Sequence, residues 1–377
     1  MATTTNELTL AMLLFGLLIV TSLDFTAGQV GVCFGRLGNN LPSVQRTLAL
    51  YKKSNIRRMR LYDPHPPTLR ALAGTGIRLM LGVPNDHLRD LANCPQVATA
   101  WVRTNVLQYP NVTFRYIAVG NEIPPESELG PFVLPAMQNM YRAIRAARLG
   151  AQIKVSTSIK TDLLNTSYPP QAGEFKCSVN WYIRPIIEFL RDTGAPLLTN
   201  IYPYFAYMND RKNINLSFAL LQPNSGVIAD GVYYDNLFYA IMDAVYAAME
   251  RILAAASPLM TLEQELAGNG EGIPHQVTSE TGHSSKGGGG GGGSEPGGGS
   301  EPDSLDDGPL NTVENARIYN NNLMRIVRNG TPRRPGIPIE VYIFAMFDEN
   351  LKPGPAYERH FGIFLANGQP KYPLRFR

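Results

Sequence analysis

Two glutamates in this chain each close a short apolar run. Tyr116-Ile-Ala-Val-Gly-Asn-Glu122 stops abruptly at Gly120-Asn121-Glu122, and Val277-Thr-Ser-Glu280 stops before Thr281-Gly282. A strand that ends in a carboxylate delivers it to the edge of a sheet. Two such groups facing each other can divide acid–base and nucleophilic work. At a separation of roughly 5–5.5 Å, one protonates a leaving glycosidic oxygen and the other attacks the anomeric carbon, which is the chemistry of retaining glycoside hydrolysis. The acid then needs a pKa raised toward neutrality, while the nucleophile must stay ionised. Acidic residues at strand ends also cap helices and form ion pairs, so spacing alone leaves both readings open.

The elements that must position these residues alternate along the chain. Strand-like runs are Val30–Phe34, Ile56–Tyr62, Arg78–Val83, Phe114–Gly120, Ile153–Ser158, Leu197–Tyr202, His275–Glu280 and Ile339–Phe347. Amphipathic stretches between them include Leu41–Lys53, Val97–Gln108, Leu134–Leu149, Leu237–Leu253 and Thr312–Val327, the last with Thr312 as its expected N-cap. Eight strand–helix repeats predict an α/β fold of the (β/α)8 TIM-barrel type, with functional residues at the C-terminal strand ends. A doubly wound open sheet is the competing arrangement, but Gly35-Arg36-Leu37-Gly38-Asn39-Asn40 lacks the G-x-G-x-x-G spacing of its nucleotide-binding turn. The seventh unit is the weakest. Pro274, His275 and Gln276 stand where neighbouring strands are apolar, and a glycine-rich stretch follows at about 286–308. We read that stretch as a flexible insert within one domain spanning 29–377.

Composition excludes several classes. The 377 residues are 44% hydrophobic and only 17% charged, too apolar for a disordered or coiled-coil chain. A net charge of +3, from 34 basic and 31 acidic residues, gives no nucleic-acid footprint. Five histidines and three cysteines (Cys33, Cys94 and Cys177) are too few to organise the fold around a metal or disulfides, so no cofactor and no metal is expected. Residues 1–28 read as a secretory signal, with the apolar run Leu8–Val20 and small residues Thr26, Ala27 and Gly28 before Gln29. That run is shorter than the roughly 20 residues of a spanning helix, although an N-terminal anchor is the alternative. Sequons at Asn111, Asn165, Asn215 and Asn329 suit an exported chain. With no hydrophobic tail before Arg377, a secreted, soluble monomer is expected, outside the cell or in its wall.

Longer motifs carry a resemblance. These are Gly31-Val-Cys-Phe-Gly35 with Gly38-Asn-Asn-Leu-Pro42, Met59-Arg-Leu-Tyr62, Tyr116–Glu122, Lys154-Val-Ser-Thr-Ser158, Asn200-Ile-Tyr-Pro-Tyr-Phe-Ala-Tyr207, Tyr342-Ile-Phe-Ala-Met-Phe-Asp-Glu-Asn350, Glu358-Arg-His-Phe-Gly362 and Tyr372-Pro373. From Gln29 to Phe376 the chain resembles the plant β-1,3-glucanases of glycoside hydrolase family seventeen. The resemblance implies a grooved barrel that cleaves within (1→3)-β-glucan chains, callose or fungal-wall glucan, with a role in defence or wall remodelling. It also implies Glu122 as acid/base and Glu280 as nucleophile. Tyr62, Glu349, Lys352 and Glu358 match positions around that pair. A lysine there would favour ionised carboxylates, although Lys352 and Glu358 also fit a surface ion pair. Asn121 either holds a sugar hydroxyl or orients the nucleophile, or simply forms a turn. Tyr202 and Phe205, from a dense aromatic cluster, are expected either to stack on glucan or to pack in the core.

The chain departs from the family at one place. The Trp-Pro that follows the nucleophile in relatives is His283-Ser284 here. His283 is expected either to titrate near neutrality beside Glu280 or to be a solvent-exposed replacement. Three functional readings follow: an endo-(1→3)-β-glucanase, a (1→3;1→4)-β-glucanase on the same scaffold, or a glucan-binding protein whose loosened seventh unit impairs catalysis.

Overall fold

The computed structural model describes residues 29–256, 272–287 and 310–376. The expected signal sequence and nearly all of the glycine-rich stretch lie outside the described residues. Eight parallel strands close a barrel: β1 (Gln29–Cys33), β2 (Arg58–Leu61), β3 (Arg78–Val83), β4 (Thr113–Asn121), β5 (Lys154–Lys160), β6 (Leu197–Asn200), β7 (Gln276–Thr281) and β8 (Glu340–Ile343). Each pairs with its neighbours in sequence, and β8 returns to β1 with Gln29 opposite Glu340. All eight correspond to the runs read from sequence. Strands covered on both faces lose every contact with water, so they read as near-continuous apolar segments. β2 and β8 are buried along their whole length.

Helices α1 (Val44–Lys53), α2 (Pro66–Leu72), α3 (Pro95–Val102), α4 (Val133–Ala146), α5 (Asn180–Thr193), α6 (Leu237–Ala256) and α7 (Val313–Ile326) follow β1 to β7 in turn. Ser43 caps α1, its side chain accepting from the Arg46 amide, and Thr312 caps α7 by accepting from the Asn315 amide at 3.0 Å. α5 carries Pro185 in its interior. It nonetheless buries Tyr182, Ile183, Ile186, Ile187 and Leu190, and ends on left-handed Gly194. No helix among the described residues is long and apolar enough to cross a membrane.

The N-terminal end of the barrel is closed by charge. Glu340, at the start of β8 and 4% exposed, accepts from Tyr342 at 2.9 Å and from Tyr116 at 3.1 Å. Its carboxylate faces Arg58 at 3.4 Å and Arg115 at 3.1 Å. This end of a barrel carries stability rather than chemistry. Glu340→Ala would leave the buried Arg58 guanidinium uncompensated, and we expect a loss of about 3 kcal/mol. Urea unfolding with an unchanged m value reads this directly, and a loss below about 1 kcal/mol would contradict it.

Candidate active site

At the opposite end the geometry is built around one buried cation. Arg60, in β2, is 1% exposed and reaches across the barrel to the ends of four other strands. Nη1 donates to the Ser279 carbonyl at 2.8 Å and to Asn200 Oδ1 at 3.2 Å. Nη2 donates to Asn121 Oδ1 at 2.7 Å and to Ser158 Oγ at 3.1 Å. Below it lies the ring of Tyr62, 4.6 Å from the guanidinium carbon. A buried charge is tolerated only when it is paired and hydrogen-bonded. The pairing charge is Glu280.

Glu280 is 7% exposed, with Oε1 2.9 Å from Arg60 Nη1. This is a charge contact without hydrogen-bond alignment, because that nitrogen directs its protons at Ser279 and Asn200. Oε2 accepts from the Tyr202 hydroxyl at 2.9 Å. Both carboxylate oxygens are thereby held. The register of β7 slips between Thr278 and Glu280 against β6, and between Thr278 and Thr281 against β8. Such an irregularity turns a side chain away from the regular alternation, and here it falls at the carboxylate.

Glu122 lies immediately beyond β4, which carries the same irregularity between Ala118 and Asn121. Gly120 has φ +76° and Glu122 itself φ +53°, a conformation that L side chains adopt at a cost. The strained turn is clamped by its amide, which donates to the Ser158 carbonyl at 2.9 Å, and by Asn85, which bonds both the amide and the carbonyl of Asn121. Oε1 of Glu122 accepts from Asn200 Nδ2 at 2.8 Å, and Oε2 lies 3.3 Å from Lys160 Nζ. Burial pushes this carboxyl above its ordinary value, and the negative charge of Glu280 pushes it further. Asn200 and Lys160 pull the other way without cancelling the rise. Asn200 thus bridges the two glutamates, bonding Glu122 with its nitrogen and Arg60 with its oxygen.

The other expected residues divide. Asn121 is neither a free turn residue nor turned outward: its Oδ1 takes bonds from Arg60 and Asn200. Tyr202 bonds Glu280 and packs on Phe205, ring centroids 5.1 Å apart. Phe205 is half-buried among Tyr202, Tyr204, Tyr357 and Phe361. Glu349 is buried at 4% exposure, accepting from the Leu37 amide at 2.8 Å. It occupies space that a side chain at Gly35 would fill, since a Cβ there would lie 2.3 Å from the carboxylate. Burial raises its pKa. Lys352 takes the ion-pair alternative: its ammonium pairs with Glu358 at 2.9 Å and lies over the Phe344 ring. Its charge opposes the burial-driven rise at Glu349.

His283 also overturns both of its expected roles. It is 2% exposed, its Nδ1 2.8 Å from the Ser284 carbonyl and its ring 4.8 Å from that of Tyr204. Nε2 is buried without a partner. Burial drives its pKa from 6.5 down to about 4, so it is neutral and not exposed. The segment around it is anchored rather than loose. Ser284 Oγ donates to the Tyr357 carbonyl at 2.8 Å, and Ser285 Oγ to the His360 carbonyl at 2.8 Å. Asn311 accepts from the Tyr204 hydroxyl at 2.6 Å and donates to the Gly287 carbonyl at 3.0 Å.

Sequence reasoning did not single out Arg60, Asn200, Ser158, Ser279 or Lys160. Arg60 is one of three arginines in the strand run Ile56–Tyr62, and nothing in the sequence sets it apart from Arg57 and Arg58. All three cysteines are free, and Cys33 is buried with its thiol pushed up to about 12 by desolvation.

Comparison with known proteins gives the class. The profile described as glycosyl hydrolases family 17 matches residues 30–261 and 300–376. The chain belongs to that family. It is 46% identical over 374 residues to a probable glucan endo-1,3-beta-glucosidase of Arabidopsis thaliana, covering 98% of this chain and 97% of that one. A glucan endo-1,3-beta-glucosidase of Vitis vinifera is 44% identical over 381 residues, with both chains fully covered. Among solved structures, a beta-1,3-glucanase and allergen of Cryptomeria japonica pollen superposes with a TM-score of 0.79 at 39% identity, covering 92% of this chain and 99% of that one. A structure from a study of two plant beta-glucan endohydrolases with distinct substrate specificities gives 0.78 at 38%, covering 92% of this chain and all of that one.

The burial of His283 has a consequence for acid stability. Below about pH 6.5 the unfolded chain binds a proton that the folded histidine refuses until about pH 4. The unfolded state therefore holds more protons in that window, and stability falls as pH drops through it. The loss is of order 3 kcal/mol. Urea unfolding at pH 7, 5.5 and 4 should show a shallower decline for His283→Phe than for the natural chain. Parallel declines would sink this assignment.

Proposed function

We propose that the chain is a secreted, retaining endo-(1→3)-β-glucan hydrolase in which Glu122 is the acid/base and Glu280 the nucleophile. The observation that carries this is the pair of strand-end carboxyls in unlike surroundings, linked through Asn200 and Arg60. Glu122, raised by burial and by its anionic neighbour, suits the role of proton donor. Glu280, held between a guanidinium and a tyrosine hydroxyl, is fixed in orientation for attack.

In the first step Glu122 gives its proton to the glycosidic oxygen as a Glu280 oxygen bonds the anomeric carbon, and the leaving chain departs with its new hydroxyl. Water then attacks the glycosyl ester, Glu122 takes the water proton, and Glu280 is released as carboxylate. Tyr202, whose hydroxyl bonds Glu280, packs on Phe205, and these rings are suited to the C–H faces of glucose units.

The substrate reading rests on the relatives' names, and a mixed-linkage glucan is the competing polymer on this scaffold. The anchoring of Ser284, Ser285 and His283 argues for an active enzyme over an impaired binder. Export through the Leu8–Val20 run, residence outside the cell or in its wall, and a monomeric state complete the proposal.

Reducing-end release from a linear (1→3)-β-glucan tests it, with a mixed-linkage glucan alongside. Glu122→Gln and Glu280→Gln should each lower turnover by about 10²–10⁴-fold or more. Proton NMR should show the β-anomer first. Early α-anomer would rule out retention, and release from the mixed-linkage polymer alone would overturn the linkage.

A further inference from the structure

Lys160, the last residue of β5, lies beside Glu122 with Nζ 3.3 Å from Oε2. The other oxygen, Oε1, already accepts from the Asn200 amide at 2.8 Å. An amide N–H cannot receive a carboxylic O–H, so the proton of a neutral Glu122 belongs on Oε2. An ammonium likewise has three donors and no acceptor. A proton on Oε2 removes the negative charge that the ammonium pairs with, so Lys160 opposes protonation of that oxygen.

The geometry points to Lys160 as a positioning residue that biases Glu122 toward its ionised form in the substrate-free site and withdraws as substrate reaches Oε2, which frees Glu122 to act as an acid. Its assignment to catalysis rests on the reading of Glu122 given above. The side chain is free to withdraw: Lys160 is 51% exposed, against 25% for Glu122. A glycosidic oxygen, itself an acceptor, would then take the place that the ammonium leaves. The groups facing Glu122 come from separate strands and act in different senses. From β7 the charge of Glu280 opposes ionisation, while from β6 Asn200 and from β5 Lys160 favour it. Arg60 reaches this glutamate through Asn121 and Asn200. Asp162, two residues beyond Lys160, helps keep the lysine charged, as does Glu122 itself. A pair this exposed is screened by salt, which gives the experiment a second handle.

The test is a carbon-13 NMR titration of protein labelled at the glutamate δ-carbons, without substrate. Glu122→Gln identifies the resonance. At low salt (about 0.01 M) the Glu122 midpoint should rise by about half a unit to one unit in Lys160→Met and stay near the natural value in Lys160→Arg. Raising salt to about 0.5 M should lift the midpoint of the natural chain and of Lys160→Arg, but not that of Lys160→Met. In glucan hydrolysis the alkaline limb of the pH profile should move upward by the same amount in Lys160→Met. An unmoved midpoint in Lys160→Met, or a salt response identical to that of the natural chain, overturns the inference. A midpoint that moves in a protein with no glucan hydrolysis keeps the role of Lys160 at Glu122 and removes the enzymatic reading instead.

Discussion

Placing the guanidinium of Arg60 inside the barrel costs several kcal/mol of lost hydration, and that cost has to be met by specific partners. Those partners are a carbonyl from β7, amide oxygens from β4 and β6, a hydroxyl from β5 and the carboxylate of Glu280. Each can satisfy the cation only if its strand ends at the right height. The requirement therefore fixes the relative heights of five strands, and with them the positions of both glutamates. It also explains why Asn121 and Asn200 are amides: each must accept from Arg60 while Asn200 donates to Glu122.

The two ends of the barrel use charge differently. Around Glu340 two arginines and two tyrosine hydroxyls converge on one carboxylate, and its lone pairs are directed at groups that do not move. At the mouth the carboxylates are less completely enclosed. Glu122 keeps one oxygen facing an exposed lysine, and its backbone sits in a strained conformation held by Ser158 and Asn85. Strain and incomplete satisfaction gather where substrate has to bind, which is where a working site tolerates them.

The barrel was legible because buried parallel strands leave an apolar trace, and both glutamates stood out because they ended such traces. β7 was faint because polar residues are buried in it, two of them with partners indoors: Gln276 donates to the Met242 carbonyl at 2.9 Å and Ser279 to Asn200 at 2.6 Å. Hydropathy cannot register satisfaction of that kind. The same limit hid Arg60, whose neighbours in space are distant in sequence, and Lys160, whose pairing with Glu122 exists only once β4 and β5 lie side by side. For Lys352 the sequence left open a place near the catalytic carboxylates and an ion pair with Glu358, and the ammonium makes that pair. His283 misled because its type suggests polarity, while Tyr204 and Tyr319 enclose it as a flat ring.

Asn311 bears on how the chain could have acquired its glycines. Its amide group joins Tyr204 to the Gly287 carbonyl, so the segment that leaves the rim after Gly287 is met again at Asn311, within one side chain of its departure. A segment whose ends are pinned together need not span any fixed distance. Doubling the length of such a loop adds only about 0.6 kcal/mol of closure entropy. The two described ends, Gly287 and Asn311, are held by one side chain whatever the number of residues between them. The barrel rim offers evolution a place where length can drift while both glutamates stay where they are.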